Sequence, residues 1–237
     1  MKPNIALLFA LNVLVIPMAL CGQPVSTNAA KSADATAKSD ADVEKKAAGW
    51  VASLSLGDSA KEARVKLVIV THLKAVRDWH NSHPPETVPE GINPVTGKRL
   101  IQLDRQIIAD SAIPKTVHEN LLTGLRTDLT PKQVEAILDE YTVGKVAFTL
   151  KSYHAIVPDL TQEEESTILG FLKQAREEAV DYKNMNEISA IFEIYKTKSE
   201  QYLNSRGRDW RALYKGYTEA AKAKKAATAP KTNSPAQ

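Results

Sequence analysis

Apolar residues recur at three- and four-residue spacings along most of this chain, and that period is helical. Val65, Val68, Ile69, His72, Leu73 and Val76 fall on one face of a helix ending near Asn81, and Ser59 with Glu62 reads as the capping box that opens it. Pro114 suits the first turn of a helix whose apolar positions are Val117, Leu121, Leu122 and Leu125. Val146, Leu150, Tyr153 and Val157 form a stripe stopped by Pro158. Ile168, Leu172, Ala175 and Ala179 form another. Ile188, Ile191, Phe192, Tyr195, Tyr202 and Leu203 form the clearest, ended by Gly207. A last helix carries Trp210, Leu213, Tyr214 and Tyr217. "DLTPKQVEAIL" from Asp128 echoes "DLTQEEESTIL" from Asp159: Thr130 or Thr161 is placed as N-cap, with Gln133 or Glu164 three residues on. No hairpin turn separates alternating apolar runs. The pattern predicts an all-α fold, a single domain of about seven to eight helices, with one long Pro/Gly-rich loop over Ser82–Arg99.

The ends break this pattern. Lys2, the apolar run Ile5–Leu20 and the small residues Ala19, Cys21 and Gly22 read as a signal peptide, residues 1–22. The run is short for a membrane span and polar sequence follows it. Cleavage near Cys21 to Gln23 and export to the periplasm or beyond are expected. A lipid anchor on Cys21 is the alternative, disfavoured because Leu20 stands where a small residue normally precedes a lipidated cysteine. Residues 23–41 are low in large apolar side chains and read as a disordered linker, 42–226 as the helical domain and 227–237 as a disordered tail.

Composition narrows the function classes. Hydrophobic residues are 43% and charged residues 25%, with net charge +3, so no strong field for nucleic acid exists. With one cysteine, neither a disulfide framework nor a Cys-based zinc site is available. No cofactor is expected, since Gly-rich phosphate loops and nucleophile elbows are missing.

The densest chemistry is Arg77-Asp78-Trp79-His80-Asn81, which ends a helix and opens the long loop. A sugar site needs a flat apolar ring and rigid polar partners for hydroxyls; Trp79 offers the first, Arg77, Asp78 and Asn81 the second. His80 and His83 add acid–base chemistry near neutral pH. The competing reading is a polar helix end with a core tryptophan. His80 and His83, with Asp78 or Glu86, share metal-like spacing, but no strong motif is present and no metal is expected. Asn93, Arg99, Asp104 and Arg105, from the loop and the next helix, complete the candidate ligand-binding set. Asp104 and Asp110 are a carboxylate pair of the kind glycoside hydrolysis uses, though both fit as helix caps. A second copy, Arg208-Asp209-Trp210, reads as a cap with an apolar staple. Whether the two copies meet stays open. His72 reads as a core histidine, His118 and His154 as exposed.

"THLKAVRDWHNSHPPETVPEGINPVTGKRL", "LDRQIIADSAIPK", "YTVGKVAFTLKSYHAIVPDLT" and "ISAIFEIYKTKSEQYLNSRGRDWRALYK" resemble a family of exported Bacteroidota proteins. That family is catalogued as a domain of unknown function and loosely labelled sugar-binding. The resemblance spans about Ala47 to Ala226. It implies export, a helical domain and an association with polysaccharide utilisation. "LTPKQ" at Leu129–Gln133 also resembles the LTxxQ pattern of small helical periplasmic stress proteins. The expectation is an exported carbohydrate-associated protein that binds a glycan or oligosaccharide. The alternatives are a glycan-active enzyme using Asp104, Asp110 or His80, or a periplasmic chaperone or interaction module.

Overall fold

The computed structural model describes residues 27–94 and 96–228. The expected signal peptide, its cleavage region and the tail beyond Thr228 lie outside the described residues. Among the described residues the fold is all-α. Nine helices run in order: α1 Thr27–Ser53, α2 Ser59–Ser82, α3 Gln102–Asp110, α4 Lys115–Asp128, α5 Pro131–Tyr141, α6 Lys145–Ile156, α7 Gln162–Ala179, α8 Met185–Ser205 and α9 Trp210–Thr228. No described helix is long and apolar enough to cross a membrane. The chain divides into two units, Met1–Ser39 and Asp40–Gln237. The described part of the first is helical throughout, and the second holds everything discussed below.

Local sequence explains most boundaries. Thr130 and Thr161 cap α5 and α7, and Gln133 and Glu164 return the reciprocal bond to the cap residue's backbone N–H. Asn184 and Glu187 do the same for α8. Gly207, at φ +88°, turns the chain out of α8, and Asp209 opens α9 by accepting from the Ala212 N–H at 3.0 Å.

Three expectations need correction. The linker read over residues 23–41 is helical from Thr27 onward. Its alanines favour helix, and Val43, Ala47, Trp50 and Val51 fix the same helix to the core, so extension costs little. Asp40 adds ion pairs to Lys74 and Arg77 at 3.0 and 2.5 Å. Second, α2 is capped by Asp58, not Ser59: its carboxylate accepts from Ala60 and Lys61 N–H at 2.9 and 3.0 Å. Third, of the expected tail 227–237, Ala227 and Thr228 are described, and they finish α9. The expected long loop is present between α2 and α3, and a 3-10 turn at Pro85–Thr87 and an Ile92–Arg99 bridge organise it.

The apolar interior forms two groups. Val65, Ile69, Leu121, Leu125 and Ile137 centre the first, on α1, α2, α4 and α5. Tyr153, Ile168, Leu172, Ile191, Phe192 and Leu203 centre the second, on α6, α7 and α8, with Trp210 and Leu213 of α9 packed against it. Many of the side chains that join the groups are polar. Arg176 of α7, 5% exposed, reaches Asp139 of α5 at 2.8 Å. Lys173 reaches Glu135 at 2.7 Å. Buried ionisable groups cluster along the same seam.

The α2–α4 pair packs closely at Gly124. A Cβ there would stand 2.7 and 2.9 Å from the two methyls of Val68. Gly124→Ala should therefore destabilise by about 1 kcal/mol, overpacking outweighing the gain in helix propensity. Val68→Ala in the same chain should relieve the clash, read as a non-additive double-mutant cycle in denaturant unfolding.

Candidate functional site

The end of α2 is crowded, and most of its side chains already have protein partners. Arg77 pairs with Asp40 and with Asp78, at 2.5 and 2.8 Å. Trp79 donates its indole N–H to Ala109 O at 3.1 Å, and one face of its ring stacks on His83 at a centroid distance of 3.8 Å. His83 Nδ1 lies 2.8 Å from Trp79 O, so this histidine is committed to the tryptophan rather than to His80. Asn81 Oδ1 accepts from Lys183 Nζ at 2.6 Å. Asn93 Oδ1 accepts from Thr96 N–H, Arg99 pairs with Glu90, and Arg105 donates to Val88 O at 2.8 Å. Asp104 accepts from Ile101 N–H at 3.1 Å. These four residues shape the loop and the start of α3.

His80 has a different setting. Its Nδ1 stands 2.8 Å from Asp110 Oδ2 and 3.5 Å from Glu187 Oε1. The aspartate was expected to cap a helix; instead its side chain is 3% exposed and faces His80. Gln106 holds its other oxygen at 3.0 Å. Glu187, 2% exposed, comes from the first turn of α8. Its Oε2 accepts from Lys183 and Asn184 N–H, and its Oε1 from Asn184 Nδ2 at 2.5 Å. Burial pushes the Glu187 carboxyl above its ordinary range; His80 opposes the shift and the Asp110 charge adds to it. One ligand atom from each of His80, Asp110 and Glu187 lies within 4.8 Å of the other two, so the three side chains can share a cation. Sequence gave no warning of Glu187, because Asn184-x-x-Glu187 reads fully as a capping box.

A second histidine–carboxylate group lies one segment away. Asp181 receives His72 Nε2 at 3.0 Å and His118 Nδ1 at 2.9 Å. His72 is a core histidine, as expected. His118 is half-buried rather than exposed, while His154 is exposed. Buried Tyr141 packs its ring edge-on against His72 at 5.4 Å.

The second Arg-Asp-Trp copy has its own neighbourhood. Arg208 binds both oxygens of Glu164 at 2.7 Å and Asp159 Oδ1 at 2.9 Å. That guanidinium holds the Glu164 carboxyl down at about 2. The first copy is built into α2 and α3, the second into the start of α7 and the turn before α9. Trp210 instead borders a cleft of about 540 Å³ between α6, α8 and α9. Tyr214 and Tyr217 line it with Trp210 from α9, Phe148 from α6, and Glu193, Lys196 and Glu200 from α8. Phe148 is 72% exposed, Tyr214 50% and Tyr217 40%. The Trp210 and Tyr214 rings lie 6.0 Å apart and near parallel, at 25°. Lys196 Nζ pairs with Glu193 at 2.8 Å, and burial pushes the Glu200 carboxyl up. Rings with an exposed face above convergent charged groups are the ingredients of a small-molecule site.

A family model for proteins of unknown function, DUF3826, matches residues 40–223, which takes in α2 to α8, most of α9, the histidine centres and the cleft. The chain belongs to the DUF3826 family. No curated protein matches it.

In this DUF3826 chain the Asp181 group ties stability to pH. The Asp181 bond raises His118 above its ordinary 6.5, outweighing burial. Burial pushes Asp181 up, but its bonds from His118 and His72 outweigh that and hold it below 3.8. His118 binds its proton more tightly in the folded state. Its contribution is therefore whole below pH 6.5 and is lost as pH rises through its raised folded value. The Asp181 contribution is whole above 3.8 and is lost as pH falls through its lowered folded value. His118→Gln should flatten the loss of stability as pH rises above 6.5, read from denaturation midpoints at each pH.

Proposed function

We propose that the protein is an exported glycan-binding protein and that its glycan lies in the cleft between α6, α8 and α9. The observation that carries this reading is the row of aromatic side chains on one helix: Trp210, Tyr214 and Tyr217 all line the cleft, with Phe148 opposite. A pyranose presents an apolar C–H face, which such rings cover. Glu193, Lys196 and Glu200 supply acceptors and a donor for the hydroxyls. The resemblance to exported, sugar-binding-labelled proteins points the same way. The end of α2 is the weaker location, because Trp79 has its N–H and one ring face engaged within the protein.

The test is an array of plant and host polysaccharides probed with the purified protein, followed by titration of any hit. Tyr214→Ala should weaken binding about tenfold, the loss of one stacking contact with its buried area. Asn81→Ala, at the end of α2, should leave affinity unchanged. A blank array, with suppression of client aggregation by the same protein, would instead make the cleft a surface for unfolded chains.

A further inference from the structure

We propose that His80, Asp110 and Glu187 form a binding site for one divalent transition-metal ion, zinc being the first candidate. This site is separate from the aromatic cleft and does not depend on the glycan reading.

Three observations carry it. The first is geometry. Ligands about 2.0–2.1 Å from a tetrahedral ion stand about 3.4 Å from one another. The Nδ1 of His80 is 2.8 Å from Asp110 Oδ2 and 3.5 Å from Glu187 Oε1, and all three atoms fit within 4.8 Å. Small side-chain shifts centre an ion among them. The second is charge. Two carboxylates, 3% and 2% exposed, face each other in the interior. Among the described residues, His80 is the one basic side chain paired with either, and the nearby Lys183 ammonium is directed to Asn81. Buried like charges are stabilised by a cation placed between them, and the three ligand atoms converge on one point where such a cation would sit.

The third observation is the outer ring of hydrogen bonds. Gln106 holds Asp110 Oδ1, the oxygen turned away from His80. Backbone N–H groups of Lys183 and Asn184 hold Glu187 Oε2, again the far oxygen. Metal-ligating carboxylates are oriented by such partners, which leave the inner oxygen aimed at the ion. Glu187 Oε1 also takes the Asn184 amide, which occupies one of its two lone pairs. Imidazole with two carboxylates suits zinc and manganese better than calcium or magnesium. His80 keeps 17% of its side chain exposed, so the cluster borders solvent at this residue. Three protein ligands leave a fourth position for water.

The experiment uses tag-free full-length protein, stripped with chelator and titrated with Zn²⁺ and then Mn²⁺ by calorimetry, with metal content checked by mass spectrometry. One equivalent should bind, with a rise in melting temperature. Asp110→Asn and Glu187→Gln should each weaken binding at least tenfold, since each removes an anionic ligand. Glutamine still serves the third position of a capping box, so Glu187→Gln keeps the start of α8 intact. Circular dichroism verifies the fold of both variants. Co²⁺ substitution should give a visible absorption band that is lost in both. The proposal is overturned if the folded wild-type chain takes up neither ion, or if either variant binds as the wild type does. Neither result bears on glycan affinity, which is measured on Tyr214.

Discussion

The structure depends on how its two apolar groups are joined. A continuous hydrophobic interface would have let them merge. Instead the seam carries Arg176 against Asp139, Asp181 between His72 and His118, and His80 against Asp110 and Glu187. Buried ionisable groups are tolerated only when each finds a partner in the right place. Their positions are therefore set by long-range geometry, and they fix the register between α2, α3 and the α7–α8 turn. The segment Asp181-Tyr182-Lys183-Asn184 is central to this: four consecutive residues reach His72 and His118, the second apolar group, Asn81, and Glu187. Apolar packing supplies cohesion on each side, and the polar seam supplies uniqueness.

Much of the fold was legible in the sequence because helix signals are local. The Thr130–Gln133 and Thr161–Glu164 boxes fall where the spacing put them. The apolar stripe of α8 and the turn at Gly207 also needed no tertiary information. The failures have two causes. The Asp58 cap lost to Ser59 on a one-residue ambiguity that only backbone geometry decides. The first helix was invisible because alanine-rich polar sequence reads equally as disorder or as a helix awaiting an anchor. The anchors of that helix, at Val43 to Val51, come after the segment in question.

The sites were less legible, and the reason differs for each residue. His80 and Asp110 were both named, together only as alternative acid–base residues of a glycan-active enzyme; their contact was not foreseen, because 30 residues separate them and sequence spacing says nothing about contact. Glu187 was not singled out; its pairing with Asn184 as a capping box is local and says nothing of His80. Trp210, Tyr214 and Tyr217 were seen as a helical stripe. A stripe ordinarily means core, and here half of it faces outward. Periodicity reports that a helix has two faces, not which one the protein covers.

The cleft inherits a property from its third wall. Helix α9 is the last described helix, and among the described elements it rests mainly on α6 and α8. An element held by so few neighbours opens at lower free energy than the elements beneath it. The aromatic row can thus detach by local unfolding, uncovering the part of the second apolar group against which Trp210 and Leu213 pack, while the seam and the first group stay intact. Ligand capture would then work partly as a clasp: occupancy of the cleft would add its binding energy to the docking of α9, and amide exchange along that one helix would slow more than anywhere else in the chain.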